Sequence, residues 1–130
     1  MSAALLDTSV LIATETAIAD RLPASSAISV ISLAELRAGV RLARTIESRE
    51  LRESRLNAVR VAFAALPVDE PVAFRYGELL AWARSEKRSE KATDLLISAS
   101  AAATGRVLHT LDRRQASLAE GGGVSVELLG

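Results

Sequence analysis

Hydrophobic positions along the chain fall into two alternating rhythms. Short apolar stretches at Ala3–Leu6, Ala27–Ile31, Val107–Thr110 and Val124–Leu128 have the length of buried strands and are bounded by polar or turn residues. Between them, apolar residues recur at three- and four-residue spacing. Leu33, Leu36 and Val40 predict a helix after Ser32, with Gly39 a mild weakness in it. Leu56, Val59, Phe63 and Leu66 mark one long amphipathic helix from Glu47 to Ala65. Leu66-Pro67-Val68 is a short extended piece, and Pro71 then opens a helix whose apolar stripe is Val72, Tyr76, Leu79, Leu80 and Ala83. Thr8–Ala13 reads as the start of a further helix, in a region closed by Leu22-Pro23. Thr93–Thr104 is a helix rich in Ala and Leu that Gly105 stops, and Asp112–Ala119 is a short helix before a turn at Gly121–Gly123. Strands that alternate with helices predict an α/β fold, a central parallel sheet of about four to five strands with helices on both faces. Ligands of such sheets bind beyond the C-terminal ends of the strands, which directs attention to the residues just after each one.

Length and composition narrow the picture. A chain of 130 residues is the size of one domain, read here as residues 1–130. Cysteine is absent, which excludes thiol catalysis, disulfides and Cys-based zinc sites. The apolar start, Met1–Ile12, lacks a basic flank and is interrupted by Asp7, so it is not read as a signal peptide. No apolar stretch approaches the roughly 20 residues a membrane helix needs. The expectation is a soluble, cytoplasmic protein with no membrane partner. Sixteen basic residues balance sixteen acidic ones, so any attraction to nucleic acid must come from local patches.

Four carboxylates stand at the places the fold makes interesting. Asp7 closes the first strand, and Asp112 follows the Val107–Thr110 strand by two residues. Glu35 lies in the first turn of the helix after the second strand, and Asp94 opens the helix after the Arg84–Lys91 tract. Each also has a structural explanation. Asp7 suits a helix cap, Ser32-Leu33-Ala34-Glu35 matches a capping box, and Asp94 and Asp112 suit first turns. Together they say more, because Asp7 and Asp94 are embedded in apolar sequence and a parallel sheet brings all four to one edge. Two carboxylates about 4 Å apart repel by about 4 kcal/mol at an effective dielectric of about 20. Several such pairs rival a folding stability of roughly 5–15 kcal/mol. The cluster must be protonated, spread or neutralised by a cation, and an all-oxygen site suits a hard divalent ion such as Mg²⁺ or Mn²⁺. Sites of that kind perform phosphoryl chemistry.

With those residues in place, the chain resembles a known family. Leu5–Ile12 (LLDTSVLI), Ser32–Val40 (SLAELRAGV), Thr93–Gly105 (TDLLISASAAATG) and Leu108–Asp112 (LHTLD) look like the four motif blocks of PIN-domain nucleases, in order, and the length and layout are most similar to the VapC group of type II toxins. The resemblance implies that Asp7, Glu35, Asp94 and Asp112 are the metal-site acids and that catalysis depends on Mg²⁺ or Mn²⁺. It also implies an RNA substrate, inhibition by a cognate antitoxin, and a homodimer or toxin–antitoxin hetero-oligomer. Thr110 matches a family Thr or Ser near the fourth acid and is an expected substrate contact. Many relatives carry a further Asp followed by Phe where this chain has Gln115 and Ala116. The loop before Asp94 often contains Gly in relatives, whereas here it spells Arg-Ser-Glu-Lys twice.

Basic residues supply the expected RNA and partner contacts: Arg37, Arg41 and Arg44 on the helix of Glu35, and Lys87, Arg88 and Lys91 before Asp94. The mixed charges Arg49, Glu50, Arg52, Glu53 and Arg55 read as a solvated helix face. His109 is the only histidine and reads as structural. The Gly121–Gly123 run contains no phosphate-loop pattern, and no GxSxG element occurs. Trp82 reads as core or dimer interface. Two rivals remain at this point. A phosphatase with an aspartyl nucleophile usually needs a second Asp two places on, where Asp7-Thr8-Ser9 has Ser9. A catalytically silent PIN-like module that only binds RNA or protein would not be expected to keep all four acids.

Overall fold

The computed structural model describes residues 3–13 and 21–130. In chain order the described elements are β1 (Ala4–Leu6), α1 (Thr8–Leu11), β2 (Ser26–Ser29), α2 (Val30–Leu42), α3 (Ile46–Ala62), β3 (Ala64–Leu66), α4 (Glu70–Ser85), α5 (Ala92–Thr104), β4 (Val107–Thr110), α6 (Arg113–Gly121) and β5 (Val126–Leu128). The five strands form one sheet in the order β3-β2-β1-β4-β5, and every pairing is parallel. This is the expected α/β fold, flanked by six helices among the described residues. The rest of the helix expected to begin at Thr8, over residues 14–20, lies outside them.

Side-chain alternation in the strands builds two cores. Leu5 and Ala27 face one layer, with Val72 and Leu79 of α4, Leu95 and Ile97 of α5, and Leu118 of α6. Ala4, Leu6 and Ile28 face the other, with Val10 of α1, Leu36 and Val40 of α2, and Leu56 and Val59 of α3. Strands buried on both faces must be apolar throughout, which is why β1 reads Ala-Leu-Leu. The sheet has its reversal of strand order at β1, which pairs with β2 on one side and β4 on the other. A crevice opens at such a reversal, beyond the C-terminal ends of the strands.

Several boundaries differ from expectation; α6 runs on to Gly121, where a turn was expected, and the last strand begins at Val126 rather than Val124. The second strand ends at Ser29 rather than Ile31, because the buried Ser29 hydroxyl accepts the Ile31 amide and caps α2. Ser32 is therefore inside the helix, and the capping box ascribed to Ser32 and Glu35 does not form. The long helix stops at Ala62, where Phe63 turns to extended backbone and leads into β3, so the edge strand begins two residues before Leu66-Pro67-Val68. Gly105 ends α5 in the left-handed conformation, φ +65°, as expected for that glycine. Among the described residues, no helix is long and apolar enough to cross a membrane.

Candidate metal and RNA site

Asp7 leaves β1 at the central strand's C-terminal end and is buried, only 5% exposed. It occupies the N-cap position of α1, yet its side chain makes no cap hydrogen bond. Its Oδ2 instead accepts from Ser9 Oγ at 2.7 Å and from Thr110 Oγ1 at 2.8 Å. Thr110, at the end of β4, also accepts the Asp112 amide at 3.0 Å, so one hydroxyl ties the first acid to the loop that carries the fourth. Ser9 Oγ accepts the Leu111 amide at 3.0 Å and closes the same loop. Thr110 is fully buried. It was an expected substrate contact, but it offers a substrate no surface and works by fixing the two acids.

Glu35 projects from the second turn of α2. Its Oε1 accepts from Thr8 Oγ1 at 2.6 Å, and Thr8 is hydrogen-bonded to the buried Ser32 hydroxyl at 2.8 Å. With Ser29 as the cap, Glu35 is released from capping and turned toward the first acid's neighbour. Asp94 lies in the first turn of α5, where Lys91 holds the N-cap position without a side-chain cap. Asp112 caps α6, its Oδ1 accepting the amides of Arg114 and Gln115. Its structural explanation and its place in the constellation therefore hold together. Gln115, at the position of the departure from relatives, is buried and donates its side-chain amide to the Asp94 carbonyl at 2.9 Å and to Ser98 Oγ at 3.0 Å. It joins the start of α6 to the start of α5 and so sets Asp94 against Asp112.

The charges of the other three acids bear on Asp94. Burial raises the Asp94 carboxyl above its ordinary value of 3.8, and the charges of Asp7, Glu35 and Asp112 raise it further, with Lys91 opposing them. Each acid keeps at least one oxygen without a hydrogen bond to a described residue: Asp7 Oδ1, Glu35 Oε2, Asp112 Oδ2 and both oxygens of Asp94. Among the described residues, however, no three acidic or imidazole groups stand close enough to share one ion directly. A divalent cation bound at these free oxygens would therefore have to be held partly through water, a habit of Mg²⁺ in particular. The other three acids line two clefts, and the buried Asp7 lines neither. One, of about 400 Å³, is lined by Ser89, Glu90, Lys91, Asp94, Asp112 and Arg114. The other, of about 370 Å³, runs past Thr8, Glu35 and Gly39 to Arg52 and Arg55. A larger cavity of about 500 Å³ beside Trp82 and Arg106 lies at the other end of the strands, away from these acids.

The sequence matches the PIN domain family over residues 4–121. The chain belongs to the PIN-domain family. Among its relatives it is 36% identical to ribonuclease VapC5 of Mycobacterium tuberculosis, over 98% of this chain and 95% of that one. It is 43% identical to ribonuclease VapC8 of the same organism, over 75% of this chain and 88% of the relative. Among solved structures, a member of the VapBC family of toxin–antitoxin systems, VapBC-5 from Mycobacterium tuberculosis, superposes with a TM-score of 0.84 at 35% identity, covering 98% of both chains. Within the PIN family this chain is therefore of the VapC ribonuclease type.

Position by position, this PIN domain brings Asp7, Glu35, Asp94 and Asp112 to one end of the sheet. Lys91 is exposed and lines the Asp94 cleft. Arg88 was also an expected RNA contact, but it is paired to Glu90 at 2.8 Å and lies over the Trp82 ring, 5.4 Å from its centroid, with 27% of its side chain exposed. Sequence reasoning passed over Thr8, Ser9, Ser32 and Gln115. The only signal for the first two was the pair of hydroxyl residues directly after Asp7; Ser32 was noted only as a cap and Gln115 only as a departure from relatives.

Proposed function

We propose that this PIN domain hydrolyses phosphodiester bonds of RNA at the acidic edge of its sheet, with Mg²⁺ or Mn²⁺ bound there, as the toxin of a toxin–antitoxin pair. The observation that supports this reading is that four carboxylates distant in sequence stand at the C-terminal end of the sheet, where the charges of Asp7, Glu35 and Asp112 all bear on Asp94. Asp7, Asp94, Asp112 and Glu35 would hold the cation between them, with water completing the contacts that the side chains do not reach directly. A divalent ion so held lowers the pKa of bound water and offsets charge that develops on the phosphate.

The chain's own groups supply orientation and proton handling. Ser9 and Thr110 hold one oxygen of Asp7, which leaves Oδ1 without a hydrogen bond to a described residue. Thr8 fixes Glu35 by Oε1, so Oε2 is the atom that orients the attacking water and accepts its proton. Gln115 and the α6 cap keep Asp94 and Asp112 in register through the reaction. No covalent enzyme intermediate is required.

An anionic crevice also invites a basic side chain from a protein partner, and the VapBC-5 relative is described as part of a toxin–antitoxin system. Large apolar side chains left in solvent, among them Leu42, Ile46, Leu51 and Phe74, support assembly with an antitoxin or with a second copy. Sequencing RNA ends in cells that express the chain, beside cells that express Asp94→Asn, tests the activity. New cleavage ends present with the parent and absent with the variant are expected. Identical RNA ends in the two would overturn the reading.

A further inference from the structure

Glu90 is the one acidic group of the Arg-Ser-Glu-Lys repeat with a buried side chain, 2% exposed. Its two oxygens hold two different arginines: Oε2 accepts from Arg88 Nε at 2.8 Å, and Oε1 accepts from Arg114 Nε at 3.2 Å. The partners are not equivalent. Arg88 is confined between Glu90 and the Trp82 ring and serves packing. Arg114 leaves 70% of its side chain in solvent and is fixed at one edge only, by Glu90 and by a bond from Nη2 to the Ser89 carbonyl at 2.9 Å. Its own amide is capped by Asp112 at 2.9 Å, and its side chain lines the same cleft as Lys91, Asp94 and Asp112.

We propose that Arg114 binds a backbone phosphate of the RNA beside the scissile bond and that Glu90 is its positioning residue; this rests on the ribonuclease reading above. A cleft walled by Asp94 and Asp112 repels a polyanion unless a cation of fixed position offsets that charge. Arg114 meets the need, because a guanidinium held along Nε and Nη2 still presents Nη1, which has no hydrogen bond to a described residue. The planar fork suits phosphate oxygens. The three charged groups Arg88, Glu90 and Arg114 sum to one positive charge, so the bridge to Glu90 orients Arg114 without cancelling the pair of arginines. Arg88 already pairs with the buried Glu90 carboxylate, so charge neutralisation alone does not require the second arginine.

The test uses the full chain and a fluorescein-labelled single-stranded oligoribonucleotide of mixed sequence, with binding followed by anisotropy in chelator over a series of salt concentrations. Thermal melting of each variant checks folding. Arg114→Gln is expected to weaken binding roughly tenfold and to reduce the slope of log affinity against log salt by about 0.7, the value for one phosphate contact on a single strand. Arg114→Lys keeps the slope and loses part of the affinity. Arg88→Gln lowers the melting temperature and keeps the slope. Glu90→Gln weakens binding, and the double variant with Arg114→Gln binds no worse than Arg114→Gln alone. A parental slope in folded Arg114→Gln overturns the contact, and additive losses in the double variant overturn the role of Glu90. A parent that binds in this Arg114-dependent way but cuts no RNA with Mg²⁺ or Mn²⁺ upholds the contact and removes the ribonuclease reading.

Discussion

Asp94 shows at the scale of one residue how a site built for chemistry costs the fold. Its carboxyl binds a proton more tightly in the folded chain than in the unfolded one, because burial and the charges of Asp7, Glu35 and Asp112 disfavour the anion. The folded state therefore holds more protons between pH 3.8 and the raised value, and stability falls as pH rises through that window. In chelator, Asp94→Asn should melt at a higher temperature than the parent at neutral pH, with the gain shrinking as pH falls toward 3.8. An equal or lower melting temperature at neutral pH would contradict the repulsion. His109 acts in the opposite sense. Burial holds its imidazole below the ordinary 6.5 against the pull of Glu127, so stability is lost as pH drops below 6.5, where the unfolded chain takes up the proton and the folded one does not. His109→Gln should flatten that part of the melting profile. Asp7 and Asp94 were legible in the sequence because charge inside an apolar run is conspicuous, and Glu35 and Asp112 because they come soon after strands. Glu90 was not, because a repeated polar tetrapeptide looks like solvated surface, and one of its two partners, Arg114, comes from another element.

Elements carry the site by their ends, and the ends were the least legible part. The run Ala27–Ile31 has strand character throughout, and only the Ser29 cap, a contact of the folded backbone, decides that the last two residues are helical. Phe63 and Leu66 continue the helical spacing of α3, yet the chain leaves the helix at Phe63 to pair β3 with β2. That choice belongs to the sheet. The end of α6 is equally constrained: a Cβ on Gly121 would stand 2.7 Å from the Trp82 ring atoms, closer than packing allows. Gly121→Ala should therefore destabilise the fold by roughly 1–3 kcal/mol in urea unfolding, the usual range for overpacking. Because Trp82 also supports Arg88, the same variant should loosen the Glu90 loop and raise its amide exchange. Unchanged stability would show that α6 can move off α4 freely. The helix interiors, set by apolar spacing, and the Gly105 stop were readable directly.

Across the whole molecule, the parallel sheet brings residues 7, 35, 94 and 112 to one end because β1 sits at the reversal of strand order, Asp7 and Asp112 follow strands there, and Asp94 and Glu35 lie in the first two turns of their helices. The two cores fill the faces, which leaves the C-terminal edge as the place where charge can be kept. Asp7→Asn or Asp94→Asn should abolish RNA cleavage while the circular dichroism spectrum stays parental, since neither change alters volume or the hydroxyl network much. The central claim is that these acids form one divalent-cation site. Calorimetric titration of chelator-stripped protein with Mn²⁺ tests it most directly. Saturable binding by the parent, lost in Asp7→Asn and in Asp94→Asn, is the predicted result. No binding by the parent, or undiminished binding by both variants, would contradict it.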